Sequence, residues 1–166
     1  MLVVSWAPSI GRSKGIASVF SLREFFKDRQ LYYVAPDHSV YEAACFMTER
    51  NIGAACVLES DRLVGIVSER DMMNRVIAAG RDPKATCVRD VMTAKPIVVE
   101  AGESTEKCLK VMQQAKIRHL PVIDGDRLLG VISLRDLLLV DLNDKVDELK
   151  HMQDYIHYVP PSKPQA

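Results

Sequence analysis

Apolar and polar positions in this chain follow two rhythms, and the same order of rhythms occurs twice. Short apolar clusters stand at 32–34 (YYV) and 97–99 (IVV). A stretch of period near 3.6 follows each. In the first it holds Val40, Ala43, Ala44 and Met47, and in the second Thr105, Cys108, Leu109 and Met112. That spacing puts the four side chains on one face of a helix. Ser39 and Ser104 stand where each helix should start, and Ser39 with Glu42 fits a capping box. Two apolar runs come next in each half, 55–58 with 63–67 and 120–123 with 128–132. A polar turn containing Ser60-Asp61 or Gly125-Asp126 splits each pair, which predicts a β-hairpin. A closing helix is expected from Ser68 and again from Ser133.

The order strand, helix, strand, strand, helix is therefore duplicated. Sliding the chain by 65 residues aligns 32–73 with 97–138 without a gap, and about 12 of 42 positions are identical. The identities cluster at Asp61-Arg62-Leu63, Gly65, Ser68 and Arg70-Asp71, against Asp126-Arg127-Leu128, Gly130, Ser133 and Arg135-Asp136. A shared prelude precedes each copy, LREFF (22–26) and VRDVM (88–92), with a one-residue shift. Gly65 and Gly130 interrupt apolar strands, where a missing side chain lets another group approach closely. The polar connector 80–86 is too short to hold two free domains apart. Each copy, at about 50–60 residues, is marginal alone, so the two should pack face to face as a pseudo-two-fold α+β unit. The expected divisions are an N-terminal extension (1–20), the first motif (21–80), the second motif (86–142), and a C-terminal helix and tail (143–166).

Composition narrows the function. The 22 basic residues balance the 22 acidic ones, so there is no global basic footprint for nucleic acid, and any anion site must be local. No run of about 18 apolar residues is present, which argues against a membrane span. Cys45, Cys56, Cys87 and Cys108 fit no zinc spacing. Cys45 and Cys108 fall in apolar-periodic stretches and are expected to be buried core thiols, with a redox switch as the alternative. A cytoplasmic location is expected. The acid-free, Arg- and Ser-containing start leaves an organelle transit peptide as the minor alternative.

The chemistry concentrates at Ser68-x-Arg70-Asp71 and Ser133-x-Arg135-Asp136, each at a strand-to-helix junction. A helix start favours a phosphate, a guanidinium matches phosphate geometry, and a carboxylate can accept from a ribose diol. The same Ser-x-x-Asp spacing is also a capping box; both roles can coexist. The second copy adds Arg118-His119 where the first has Gly53-Ala54. Lys95 and Lys116 are weaker cation candidates. No nucleophile elbow, phosphate loop, dinucleotide fingerprint or metal-binding His pattern occurs. The chain reads as a non-enzyme with no metal requirement.

These residues resemble the CBS domain family, and the whole resembles a tandem CBS pair, or Bateman module, across about residues 21–142. The resemblance rests on V-A-P-D-x-S-V-x-E-A (34–43), N-I-G-A (51–54), G-I-V-S-E-R-D (65–71), D-V-M-T (90–93), R-H-L-P-V-I-D (118–124) and G-V-I-S-L-R-D (130–136). It implies two clefts between the copies that take an adenosyl ligand: AMP, ADP or ATP, or else NADH or S-adenosylmethionine. It places the ribose on Asp71 and Asp136, with Ser68 and Ser133 nearby, and the phosphates on Arg118 and His119. The adenine would lie against Val34 and Ala54, and against Val99 and His119. A cleft that depends on the first copy for cations would be the weaker one, unless residues of the second reach across.

Such pairs regulate a partner protein, unknown here, and standalone ones form homodimers. Beyond Ser133 one helix is expected, with Leu138, Leu142, Val146, Leu149, Met152 and Ile156 as an apolar stripe. That stripe either packs back on its own module or meets a partner. The alternative function is a structural dimerisation module in which Ser and Asp act only as caps.

Overall fold

The computed structural model describes residues 21–157; the expected N-terminal extension and the chain from 158 onward lie outside them. A short helix, α1 (Leu22–Phe26), opens the described chain. The first copy follows: β1 (Tyr33–Val34), α2 (Val40–Glu49), β2 (Ala54–Glu59), β3 (Arg62–Ser68) and α3 (Glu69–Met72). A π-helical turn, Met73–Ile77, continues α3. The connector leads through a 3-10 turn (Val88–Asp90) to β4 (Thr93–Ala94). The second copy is β5 (Val99–Glu100), α4 (Thr105–Ala115), β6 (His119–Asp124), β7 (Arg127–Ser133) and α5 (Leu134–His157).

The expected α+β architecture with two motifs is present. One sheet has the order β1-β2-β3-β4 and the other β5-β6-β7. In each, the first strand runs parallel to the second and the hairpin is antiparallel. The two hairpins share a bulge at the same place, after Val57 and after Val122. Their turns use the left-handed region at Ser60 (φ 49°), Asp61 (φ 62°) and Gly125 (φ 60°), which suits the twist of a tight hairpin. The capping box of α2 is realised in full, with Ser39 Oγ accepting from Glu42 N and the Glu42 carboxylate from Ser39 N. The connector carbonyls of Thr86 and Pro83 accept from Val40 N and Tyr41 N, so the linker itself caps that helix.

The cores do not follow the sequence divisions. Val34, Val40, Ala43, Met47, Val57 and Val67 of the first copy are closed off by Val88, Val91 and Met92 from the segment leading into the second. Val99, Cys108, Met112, Leu120, Ile132 and Leu137 of the second copy are closed off by Leu22 and Phe26 of α1, from the segment leading into the first. The expected motif 21–80 therefore begins with a helix that belongs spatially to its neighbour. The two interior glycines make this exchange possible. A Cβ on Gly130 would sit 2.5 Å from Phe26 Cε1, and one on Gly65 would sit 2.5 Å from Met92 Sδ.

One sequence expectation needs correction, and one left open is decided in part. Cys45 is exposed rather than in the core, because α2 buries Val40, Ala43 and Met47, and position 45 falls on the far side of that face. The other expected core thiol, Cys108, is buried. Cys56 is also buried, and burial pushes its thiol up to about 12, so it is inert to oxidation at neutral pH. As for α5, only its first turns pack back. Leu137 is fully buried, whereas Leu138, Leu142, Leu149 and Met152 remain exposed.

Gly130→Ala is expected to cost about 1–3 kcal/mol by overpacking against the Phe26 ring. Combined with Phe26→Ala, its effect should shrink, since the two side chains share one contact. Denaturant unfolding of the full chain for the two single variants and the double variant checks this.

Candidate functional site

The duplicated turns sit at the end of each hairpin, and register decides what stands beside them. Ala54 lies directly across from Ser68, and His119 directly across from Ser133. A backbone bond tightens each junction: Glu69 N donates to Gly53 O at 3.1 Å, and Leu134 N to Arg118 O at 2.8 Å. The strand entry and the helix start are thus held together in both copies. In the second copy this sets the backbone of Arg118 and His119 beside Ser133, whose side chain bonds Asp136. In the first the same scaffold presents Gly53, Ala54, Ser68 and Asp71.

Both serines and both aspartates form the reciprocal cap. Asp71 Oδ2 accepts from Ser68 N at 2.9 Å and from Ser68 Oγ at 2.6 Å, and Asp71 N donates to Ser68 Oγ at 3.3 Å. Asp136 Oδ2 accepts from Ser133 N at 3.0 Å and from Ser133 Oγ at 2.5 Å, and Asp136 N donates to Ser133 Oγ at 3.2 Å. The cap and the Gly53 and Arg118 carbonyls already take up N–H groups at each turn. What the turn offers is a carboxylate held in one orientation, with Oδ2 committed to the cap. That suits recognition of a diol through Oδ1.

The two aspartates differ in what reaches Oδ1. In the first copy Arg75 Nη1 stands 3.3 Å from Asp71 Oδ1. The same guanidinium donates to Val91 O at 2.5 Å and to Thr93 Oγ1 at 3.2 Å. In the second copy Val140 occupies the place of Arg75. Sequence reasoning overlooked Arg75, although the difference was visible by reading the two copies against each other. The same holds for Glu69, which faces Leu134 in that comparison.

His119 reaches across the pair. Its Nε2 lies 3.1 Å from where a Cβ on Gly53 would be, and Glu69 Oε2 lies 3.4 Å from the same point. A Cβ at 53 would crowd the imidazole and oblige it to shift slightly. Burial lowers the His119 pKa and Arg118 lowers it further, while Glu69 and Asp136 oppose them and Arg70 adds to the lowering. Arg70 also crosses between the copies, with Nη1 3.5 Å from Lys116 O, a distance at the limit of a hydrogen bond. Arg29, missed in the sequence, lies 3.7 Å over the Phe25 ring. Desolvation lowers its pKa against the opposing pull of Asp136.

Other expected site residues fall outside this cluster. The side chains of Val34 and Val99 are committed to the two cores, so only their backbone and neighbours can meet a ligand. Ala54 is buried at the start of β2. Arg135, Lys95 and Lys116 are exposed. Among the described residues, no group of three His, Cys, Asp or Glu side chains could hold a metal ion, and no helix is long and apolar enough to cross a membrane.

Comparison with known proteins places this geometry in context. The family model for the CBS domain matches residues 22–78 and 88–143. A mitochondrial CBS domain-containing protein of Arabidopsis thaliana, CBSX3, is 30% identical over 149 residues, covering 87% of this chain and 72% of the relative. A solved Burkholderia ambifaria protein with CBS domains superposes with a TM-score of 0.71 at 34% identity, covering 86% of this chain and all of that one. A CBS domain protein of Pyrobaculum aerophilum, solved in complex with AMP, gives a TM-score of 0.63 at 25% identity, covering 70% of this chain and 89% of that one.

The lowered His119 pKa has a consequence for stability. The folded state holds its proton less tightly than the unfolded chain does, so this contribution is harmless above about pH 6.5 and destabilises as pH falls below it. The carboxylates held low, Glu42 by the Ser39 hydroxyl and Asp124 by Arg23, act only as pH falls through their own range near about 4. Unfolding free energy is thus expected to decline between pH 7 and 5, and His119→Gln to flatten that decline. Urea titrations across that range measure it.

Proposed function

This chain belongs to the CBS-domain family, and on that premise we propose that it is a non-catalytic regulatory module binding an adenine nucleotide between its two copies. AMP is favoured, with ADP and ATP as variants, and NADH or S-adenosylmethionine as the other adenosyl ligands of the same chemistry. The observation that carries this reading is the junction where the strand entry Arg118-His119 is held against Ser133, whose cap fixes the Asp136 carboxylate. It supplies a ribose acceptor and, through Arg118, a phosphate counter-charge at one strand-to-helix junction. The AMP complex of the Pyrobaculum aerophilum protein supports the ligand class. A bound nucleotide acts by its differential affinity for the arrangements of the two copies, and a partner protein reads the shift. We place this activity in the cytoplasm, with an organelle as the alternative that the mitochondrial relative keeps open.

A second reading, a homodimerising interaction module, has its own observation. Tyr41, Met73 and Ile77 of the first copy and Leu138, Leu142, Val146, Leu149 and Met152 of α5 are all large, apolar and exposed. Met73 and Ile77 correspond to Leu138 and Leu142 in the duplication, so the two copies present matching apolar pairs. Side chains of this size and exposure approach the about 800 Å² per partner that a standard interface buries. A groove lined by Tyr41, Ala44, Met47, Met72, Met73 and Ile77 shares only Glu69 with the capped turn. The two readings are compatible, since a dimer can also bind ligand.

A thermal-shift panel with AMP, ADP, ATP, NADH and S-adenosylmethionine tests the first reading. At ligand near 100 times Kd, linkage adds about 2.7 kcal/mol, or several degrees for a chain of this length. No shift with any of the five ends the nucleotide reading. For the second reading, light scattering after size exclusion should give a dimer, and Leu142→Glu should convert it to monomer with its melting temperature in the folded range.

A further inference from the structure

We propose that the two clefts are not equivalent: the nucleotide binds with its ribose on Asp136, while Arg75 closes the matching position on Asp71. This inference rests on the nucleotide reading above and assigns which half of the duplication carries it.

The first observation is the state of the two carboxylates. Asp71 has both oxygens engaged, Oδ2 by Ser68 and Oδ1 by Arg75. A ribose diol needs an oxygen that can accept, so it must displace Arg75. That guanidinium is not loosely placed, because it also holds Val91 O and Thr93 Oγ1. Those two residues flank Met92, which packs over Gly65, and Thr93 starts β4, which pairs with β3. Displacing Arg75 therefore costs a charge-assisted contact to the carboxylate and loosens the segment that closes the first core. Asp136 meets no such competitor from its own helix, where Val140 replaces Arg75.

The second observation is independent and concerns charge. Beside Asp136 stand Arg118 and His119, with His119 paired across from Ser133. Beside Asp71 the same register positions hold Gly53 and Ala54. Glu69, next to Ser68, adds a carboxylate directed at Gly53 where the second copy has Leu134. A phosphate brought to the first turn would face one more acid, Glu69, and no counterpart of the Arg118 guanidinium. His119 does reach Gly53, but it arrives together with Glu69, whose negative charge offsets it. Both the sugar acceptor and the phosphate counter-charge thus favour the second copy.

Titration calorimetry of the full chain with AMP tests the proposal. One AMP per chain is expected. Asp136→Asn, which keeps an oxygen for the cap, should weaken binding at least thirtyfold, and Asp71→Asn less than threefold. Arg118→Ala lies outside the cap and should weaken binding about tenfold, which keeps the test intact if Asp136→Asn misfolds. Arg75→Val, the residue found at the matching place in the second copy, should bring in a second, weaker AMP. Two AMP per chain in the unaltered protein, or a loss that follows Asp71 rather than Asp136, overturns the proposal while leaving the nucleotide reading standing. A titration of Arg75→Val that still ends at one AMP overturns the role given to Arg75. No binding by AMP or by the other four adenosyl ligands removes both the reading and the proposal.

Discussion

The structure depends on a reciprocal loan of core. Phe26, from the segment before the first copy, lies over Gly130 in the second, and Met92, from the segment before the second, lies over Gly65 in the first. Neither copy has a closed interior without a segment from outside its own strand-helix-strand-strand-helix unit. Repeats of about 50–60 residues bury too little surface to be stable alone, and the exchange resolves this without enlarging either repeat. It also makes the relative placement of the copies a property of the cores rather than of a thin interface. A ligand lying between them is consequently coupled to the packing of both.

That coupling gives the capped turns their value. A carboxylate in an exposed loop would lose entropy on engaging a ligand. Here each aspartate is already ordered by two bonds from its serine, and the helix it caps is the one whose first turns close the sheet. Leu137 illustrates the link, because it lies one residue after Asp136 and is wholly buried in the second core. The structural and the ligand-binding roles of these serines and aspartates are therefore not competitors. The cap fixes one oxygen of each aspartate, and at Asp136, on the proposed reading, the other is left for recognition, a preorganisation that would lower the cost of binding.

Much of this was legible in the sequence because its signals are local. The helix face of Val40, Ala43 and Met47, the Ser39–Glu42 box, the two hairpins and the Ser-x-x-Asp turns each depend on residues a few positions apart, and each formed as read. The close approach expected at Gly65 and Gly130 was also correct in kind. Its partners were not legible, since a glycine says that something comes near and not that Phe26 does so from 104 residues away along the chain. Cys45 was misplaced because a periodic stretch marks a helix before it marks which of its residues lie off the buried face. The fate of α5 depended on whether the module had any surface left to receive its stripe, and beyond Leu137 the described stripe side chains found none.

Duplication invites the assumption that matched residues do matched work, and here the differences between the copies carry more information than the identities. Ser68 and Ser133, or Asp71 and Asp136, are retained by any selection that needs a capped helix, whether or not a ligand ever arrives. Among the pairs that differ, three stand beside those caps: Gly53 with Arg118, Glu69 with Leu134 and Arg75 with Val140. A cap needs neither a cation across the strand nor a guanidinium on its second oxygen. Differences beside an unchanged cap are what the proposed inequality requires: one scaffold kept for stability in both copies, and one copy equipped for an anionic ligand. The first copy then contributes mainly rigidity: Arg75 ties its helix to the linker, and Gly53 leaves room for the second copy's histidine.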